Sequence, residues 1–548
     1  MVNSSFNTPN SYPEPDQKQS FLHAARLVGV ITLASRILGL LRDAVLASCF
    51  GASRISDIFW FAFELPNLMR RVLGEGSLSA FIVPILSKVR TEEGTASVWR
   101  FASNALTVLA ALTLVLTALG IIAAYPLFFI YGYGYYYNGD SEAILIGARL
   151  TRIMFPFLML LALSSILMGM CHSVRHFTTP ALGSIMLNLS MIAVGLLFTS
   201  QPDEKIAQAL AVAVLIGGFG RLVIMLPPLL RVGFRYRWIF EPLSPNMRRL
   251  FMMLMPATFG LAVVQINISI SRIFAGLLGE GYNTALVYSN RLVQLPLAII
   301  ASALATAILP QLSQLWIDKR LEDLCDLVRF AFRLVFIIFV PATIGMMVLG
   351  VPIIEILFER HQWDEQATAW TNYALFFYAP GLSLWGLMRI LTPIYYARHD
   401  VRTPILIASV AMVINVALNL SLIKIAFLRQ TLGHGGLALA NTVGVLVNTA
   451  LLLLILHKRG LALWSLELTL TSLRTLAAAA VMGVATWCLW EILGPAAMQA
   501  SKLLAAAWLV VTIALSVVVY YAAALTLRVP DLRKAVHIVL RRGIETRI

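Results

Sequence analysis

Charge is scarce in this sequence. Of its 548 residues only 13% are Asp, Glu, Lys or Arg, while 59% are hydrophobic. An ordinary soluble domain has about 25% and about 45–50%. A soluble globular domain and a disordered chain are both excluded. Cysteine is scarcer still. Cys49, Cys171, Cys325 and Cys488 lie far apart with no CxxC spacing, which excludes a disulfide framework and a zinc site. There is no DxD motif and no histidine cluster with metal-ligand spacing. A membrane enzyme acting on polyprenyl phosphates needs clustered acids or histidines at a membrane face. The chain therefore reads as a non-enzyme that needs neither metal nor cofactor.

Acids are also few: 27 against 42 bases, for a net charge of +15. In a membrane protein such an excess marks cytoplasmic loops rather than nucleic-acid binding. Residues 1–19 are polar and rich in Ser, Asn and Pro, a composition expected to be disordered. No short apolar run with a small-residue cleavage site follows, so no signal peptide is expected.

What is present is apolar length. About 14 segments can span a bilayer, each near the roughly 20 residues that a transmembrane helix takes. Long segments and short loops favour helices over barrel strands of about 10 residues. The expected fold is an all-α polytopic membrane protein. With the N-terminus inside, the inner connections and C-terminal tail carry 24 Lys and Arg. The outer connections carry 6: Arg54, Lys205, Arg360, Lys424, Arg429 and Lys502. That asymmetry places both termini in the cytoplasm.

The two halves repeat weakly. Pro156 and Pro180 are matched by Pro380 and Pro404, and Arg175–His176 by Arg398–His399. Asn188 is matched by Asn415, Ser35–Arg36 by Ser271–Arg272, Leu65–Pro66 by Leu295–Pro296, and Pro84–Ser87 by Pro310–Ser313. The offsets run from 223 to 236 residues. Six spans followed by six in the same orientation make a parallel repeat, which transporters use to build a central site between two lobes. The expected organisation is a disordered cytoplasmic tail (1–19), an N-terminal lobe (20–240) and a C-terminal lobe (241–460). A terminal helix pair (461–527) and a basic cytoplasmic tail (528–548) complete it.

A charge at the bilayer centre costs about 2.5–3.5 kcal/mol on insertion scales. The first two spans nonetheless hold Arg36, Arg42, Asp43, Asp57, Glu64, Arg70, Arg71 and Glu75. Arg36 and Asp43 are two helical turns apart and share a face with Gly39. Asp57, Glu64 and Arg71 repeat that spacing, and Pro66 is expected to kink the second span near Asn67 and Arg70. Arg272 and Arg291 in spans 7 and 8 tip the balance positive. An arginine fork grips phosphate oxygens bidentately and stays charged when partly buried. A wet intramembrane cavity for an anionic substrate is expected, with phosphate the obvious anion. The alternative for residues at helix ends is snorkelling to the interface. Glu64 is expected to balance a nearby arginine, Arg70 or Arg71 first.

The stretch Ser35-Arg-Ile-Leu-Gly-Leu-Leu-Arg-Asp-Ala44 is followed by Phe50-Gly51, Asp57, Leu65-Pro-Asn-Leu68, Arg70-Arg71, Gly74-Glu-Gly76 and Phe81-Ile-Val-Pro84. This series resembles the MurJ/MviN family of lipid II flippases, of the MOP exporter superfamily, and the resemblance covers essentially the whole chain. It implies flipping of undecaprenyl-diphosphate-linked peptidoglycan precursor from the inner to the outer leaflet of the bacterial inner membrane, for cell-wall synthesis. It also implies lipid II as partner, with the cell-wall synthesis machinery alongside. By position it marks Arg36, Arg42, Asp43, Asp57, Asn67, Arg70, Arg291 and, less closely, Arg272. Two departures stand out: Glu64 where relatives commonly carry a base, and Gln294 where some carry an acid. Some members bind sodium through acids in spans 7 and 11; these spans hold no Asp or Glu here, only neutral oxygens such as those of Asn415, Asn419 and Thr442. The competing readings are a flippase for another polyprenyl-linked saccharide and a multidrug exporter of the same superfamily. An exporter of cationic drugs would favour cavity acids over arginines.

Overall fold

The computed structural model describes residues 15–534, apart from 74–76, 299–307, 309–310, 313, 399 and 462. Among the described residues the regular elements are all helices. Nine are long and apolar enough to cross a membrane. A tenth is the pair Glu365–Tyr378 and Gly381–Ala397, bent by 45°. They correspond to expected spans 3–6 and 9–14. Expected spans 1 and 2 carry the cluster of charges, the side chains of span 7 are described only in part, and span 8 runs partly through residues outside the description.

The first helix, α1 (Pro15–Phe50), starts inside the stretch 1–19 expected to be disordered. Proline is at home in a first helical turn, where its missing N–H costs nothing. Residues 1–14 and 535–548, most of both expected tails, lie outside the description. Then come α2 (Arg54–Leu73), α3 (Ser77–Glu93), α4 (Thr95–Ile122), the short α5 (Ala124–Tyr131) and α6 (Tyr133–Tyr137), α7 (Ser141–Met154) and α8 (Phe157–Ser173). They are followed by α9 (Thr178–Phe198), α10 (Asp203–Arg231), α11 (Pro245–Leu278) and α12 (Tyr282–Pro296). The last seven are α13 (Leu321–Phe358), α14 (Glu365–Tyr378), α15 (Gly381–Ala397), α16 (Arg402–Lys424), α17 (Ala426–Lys458), α18 (Leu466–Ala500) and α19 (Lys502–Thr526).

The helices make two compact units. Unit 1 takes residues up to Leu46, Ala62–Leu127 and Ala148–Phe259. Its core gathers Ile82, Phe101, Ile166, Met170, Leu229 and Leu250, all buried. Unit 2 takes Gly260 onward together with Ala47–Phe61 and Phe128–Gly147 from the first half. Within it, α18 and α19 form a hairpin. Ser501 breaks the helix with extended backbone and caps α19 by accepting the Leu504 N–H at 3.1 Å. Thr486 donates to Ser516 across the pair at 2.7 Å. The Tyr520 hydroxyl donates to the Ile337 carbonyl at 2.8 Å, tying the hairpin to α13.

The repeat is visible in how helices break. Pro156 begins α8 after α7, and Pro380 begins α15 after α14. Proline lacks the N–H that would continue the helix, so the helix is interrupted at the matched position in each half, with a bend of 45° at the second. Leu65–Pro66 and Leu295–Pro296 likewise lie in matched helices, α2 and α12.

Candidate functional site

In unit 1, α1 presents its charges toward α9. The Arg42 guanidinium is held on both edges. Its Nε and Nη2 donate to one Asp43 oxygen at 2.9 and 2.7 Å, and Nη1 donates to the Asn188 side-chain oxygen at 3.1 Å. Asn188 uses its other end to hold α1, donating from Nδ2 to the Ser35 carbonyl at 3.1 Å. A methyl group at Gly39 would lie 3.8 Å from the Asn188 amide, an ordinary van der Waals contact, so the approach of α9 there does not require glycine. Asp43 is buried and Arg42 partly so. Arg36, on the same helix, is half-buried and has no ion-pair or hydrogen-bond partner among the described residues. One arginine is thus locked and the other is left available to an anion.

Glu64 and Asn67 are buried in α2, and the Asn67 amide donates to Glu64 at 3.4 Å. The expected balancing partners, Arg70 and Arg71, have side chains outside the described residues; Glu75 lies wholly outside them.

The remaining candidates fall in unit 2. Asp57 is fully buried and all its acceptor capacity is in use. Oδ2 accepts from the Tyr135 hydroxyl at 3.0 Å and the Gly281 N–H at 2.8 Å. Oδ1 accepts from the Thr284 N–H at 2.7 Å and its hydroxyl at 2.6 Å. Gly281 sits before α12 with φ of 81°, a left-handed conformation suited to glycine, and a Cβ there would come within 2.4 Å of the Ala52 carbonyl. Glycine brings no capping side chain, so Asp57 caps α12 from another segment and faces the positive end of its dipole. In this structure Asp57 offers no open face to a ligand. Arg291 lies over the Trp60 ring at 4.3 Å and near Tyr288 at 5.8 Å, a geometry in which the ring quadrupole attracts the cation. Arg272 in α11 is half-buried and within electrostatic reach of Tyr378.

Beside Arg272, Ser271 donates to Asn415 at 3.2 Å, and Asn419 donates to Asn415 at 3.0 Å. This neutral cluster lies where spans 7 and 11 meet. Among the described residues no three His, Cys, Asp or Glu side chains gather as metal ligands would. The residues that complete these sites but were not singled out from the sequence are Trp60, Tyr135 and Thr284. Only the Gly-Glu-Gly turn at 279–281 before Tyr282 hinted that a helix start there needed a cap from outside.

Among the described residues, bonds join Arg42 to Asp43 and Asn188, Asn67 to Glu64, and Asp57 to the start of α12, and Arg291 packs on Trp60. Residues 46–507 match the family model described as "Lipid II flippase MurJ". The chain is 31% identical over 447 residues to a lipid II flippase MurJ of Burkholderia cenocepacia, covering 81% of this chain and 85% of that one. It is 30% identical to a probable lipid II flippase MurJ of Bdellovibrio bacteriovorus, covering 93% and 96%. In fold it is similar to a solved structure titled "Lipid II flippase MurJ, inward closed conformation", with a TM-score of 0.71 at 21% identity over 93% of this chain and 99% of that one. It is also similar to an inward-facing multidrug resistance MATE transporter of the MOP superfamily, with a TM-score of 0.64 at 14% identity over 79% and 98%. The chain belongs to the MurJ family.

Proposed function

We propose that this protein moves lipid II from the inner to the outer leaflet of the bacterial inner membrane, by alternating access and without covalent chemistry. Family membership supports the substrate. The observation that carries the site is the arginine pair on α1, with Arg42 fixed by Asp43 and Asn188 and Arg36 without a partner among the described residues. A diphosphate is the anion that such a pair suits, because charge-assisted bonds to a planar fork are both strong and directional. Asn67 and Glu64 on α2 supply polar groups in the same unit as that pair, and Arg70, Arg272 and Arg291 are carried over as candidates from the family resemblance. Asp57 plays a different part. Its bonds to Tyr135, Gly281 and Thr284 tie residues 47–61 and 128–147 to α12, and opening to the other face would require these bonds to part.

Both termini lie in the cytoplasm in this reading. The two six-helix lobes (20–240 and 241–460) rock about the substrate, and the α18–α19 hairpin (within 461–527) offers an apolar flank to the polyprenyl tail. Handover of the product to the cell-wall synthesis machinery follows on the outer face. A flippase for another polyprenyl-linked saccharide would use the same diphosphate chemistry, so the assay must read the head group. A multidrug exporter is disfavoured by the arginines, although the MATE likeness keeps that fold in view. The test is replacement of the native flippase in a depletion strain, with outer-leaflet lipid II measured directly. Failure to restore outer-leaflet lipid II, at normal expression, would sink the assignment.

A further inference from the structure

The internal repeat holds an asymmetry away from the candidate transport residues. Each half carries an Arg-His turn after a matched helix: Arg175–His176 after α8, and Arg398–His399 after α15. In unit 2 the turn meets an aromatic ring and an acid, although Arg398 Nη1 is buried with no hydrogen-bond partner among the described residues. Arg398 lies over the Trp316 ring at 4.5 Å. Asp400, two residues on, accepts from the Thr403 N–H and hydroxyl at 3.0 and 2.7 Å and pairs with Arg459 at 2.5 Å.

In unit 1 both neutralising elements are replaced. Phe177 stands at the position of Asp400, at the same offset of 223 that relates Arg175 to Arg398. Arg90 stands at the position of Trp316, at the offset of 226 that relates Pro84 to Pro310. So where unit 2 has a cation on an aromatic ring, unit 1 has two cations. Both line one cavity of about 280 Å³, with Trp99, Thr91, Thr95 and Ser173 among the walls and no carboxylate. Neither arginine has an ion-pair partner among the described residues; the neighbouring Glu92 is taken by Lys88 at 3.6 Å. Arg175 also holds a left-handed backbone, φ 60°, which a residue with a Cβ adopts only at a cost.

We propose that this cavity is a binding site for a phosphate group, gripped by Arg90 and Arg175. Two exposed guanidinium forks line one space whose walls carry no acid, and planar forks match phosphate oxygens. The Thr95 hydroxyl is placed to donate to a remaining oxygen, while those of Thr91 and Ser173 donate to the carbonyls of Ser87 and Met170 at 3.1 and 2.7 Å. Trp99 and the adjacent Val98 supply an apolar wall for the carbons next to the phosphate. The volume lies just below the roughly 300–1,000 Å³ of small-molecule sites, so it suits a phosphate with a few carbons and not a sugar nucleotide. Its two sources are a membrane phospholipid headgroup and free phosphate. None of the residues named for transport line it, so it stands whether or not the flippase reading holds.

The test uses the purified full chain in a zwitterionic-free detergent and measures binding of short-chain phosphatidylglycerol, inorganic phosphate and, as an uncharged control, short-chain diacylglycerol. The expected result is binding of a phosphate-bearing probe and not of diacylglycerol. Two variants copy the other half of the repeat. Arg90→Trp restores the ring, and Phe177→Asp restores the acid. Each is expected to weaken binding about tenfold or more, the scale of a lost charge-assisted bond. Arg398→Gln, at the matched turn of unit 2, should leave it unchanged. Melting temperatures of the variants report folding independently. Binding of phosphatidylglycerol alone assigns a lipid headgroup, and binding of inorganic phosphate as well assigns the phosphate by itself. No binding of either, or equal binding by well-folded Arg90→Trp and Phe177→Asp proteins, overturns the proposal.

Discussion

Asn188 holds the backbone carbonyl of Ser35 at 3.1 Å, and the residue matched to it 227 positions later, Asn415, accepts from Ser271 at 3.2 Å, which is matched to Ser35. The same pair of helices is pinned by the same residue type in each half. What differs is the cargo of that contact. In unit 1 the asparagine also accepts from Arg42, so it positions a charge; in unit 2 it bonds Asn419 and the cluster stays neutral.

That difference makes Arg42 the residue whose loss is felt most. Arg42→Ala removes a cation and one ion-pair contact of the buried Asp43, while Arg36→Ala removes a cation with no partner among the described residues. Both are expected to abolish lipid II flipping with the protein still inserted, since each charge-assisted bond to a phosphate is worth about 1.5–3 kcal/mol. Lysine at either position should give partial activity, because charge returns without the fork. Asn188→Leu should behave like a weaker Arg42 variant. Normal flipping by both alanine variants at equal expression would make the arginines structural.

Much of this arrangement was legible because it is local or repeated. Arg36, Arg42 and Asp43 declare themselves as charges in an apolar segment, and the matched prolines announce where the helices break. What was not legible is contact over long separations. Tyr135 and Thr284 reach Asp57 from 78 and 227 residues away, and no periodicity encodes that. Asp57 read as a residue facing substrate; the structure spends it as a helix cap. For Glu64 the sequence pointed to arginines six and seven residues on, whose side chains lie outside the described residues; the bond described is from Asn67, three residues on and on the same helix face.

Glu64 is expected to be a local balancer and not a proton carrier. Glu64→Gln keeps the size and the acceptor that Asn67 uses, so it should retain most transport. Flipping measured for this variant with and without a pH gradient decides the matter. Complete loss in the Gln variant, together with gradient-dependent transport in the wild type, would overturn the assignment.

The turn at Asp400 gives a pH dependence. The Thr403 hydroxyl and N–H, then Arg459, hold the Asp400 carboxyl down to about 2 from an ordinary value of 3.8. The folded value lies below the unfolded one, so the contribution to stability is fully present above about pH 4 and is lost as pH falls toward 2. Thermal melts between pH 5 and 3 should show the wild type losing stability more steeply than Asp400→Asn. Parallel curves for the two proteins would remove this turn from the acid response.

Orientation is checked by single-cysteine labelling at exposed loop positions. Asn138 and Gln201 should react with an impermeant thiol reagent from outside, and Tyr236 and Lys319 only after the membrane is opened. Gly281, also in an outer connection, is buried against Ala52 and makes a poor labelling site. Labelling of Lys319 in intact cells would invert the topology.

The cap on α12 is the most exposed to a conservative change. Asp57→Asn keeps the shape but turns one oxygen, which receives two donors, into a donor facing them. Tyr135 can rotate its hydroxyl to accept; a backbone N–H cannot. One buried donor is therefore stranded, at a cost of about 1–3 kcal/mol, and the loss of negative charge at the helix start adds about 0.3–1 kcal/mol. Hydrogen exchange at Gly281 and Thr284 should accelerate tenfold or more in this variant. Tyr135→Phe removes one neutral donor from an acceptor that keeps three others, so its effect should be smaller, about 0.5–1.5 kcal/mol. The order matters more than the size. If Tyr135→Phe loosens the first turn of α12 as much as Asp57→Asn does, the carboxylate is not what holds that helix start, and the segment 47–61 must be anchored by its aromatic packing instead.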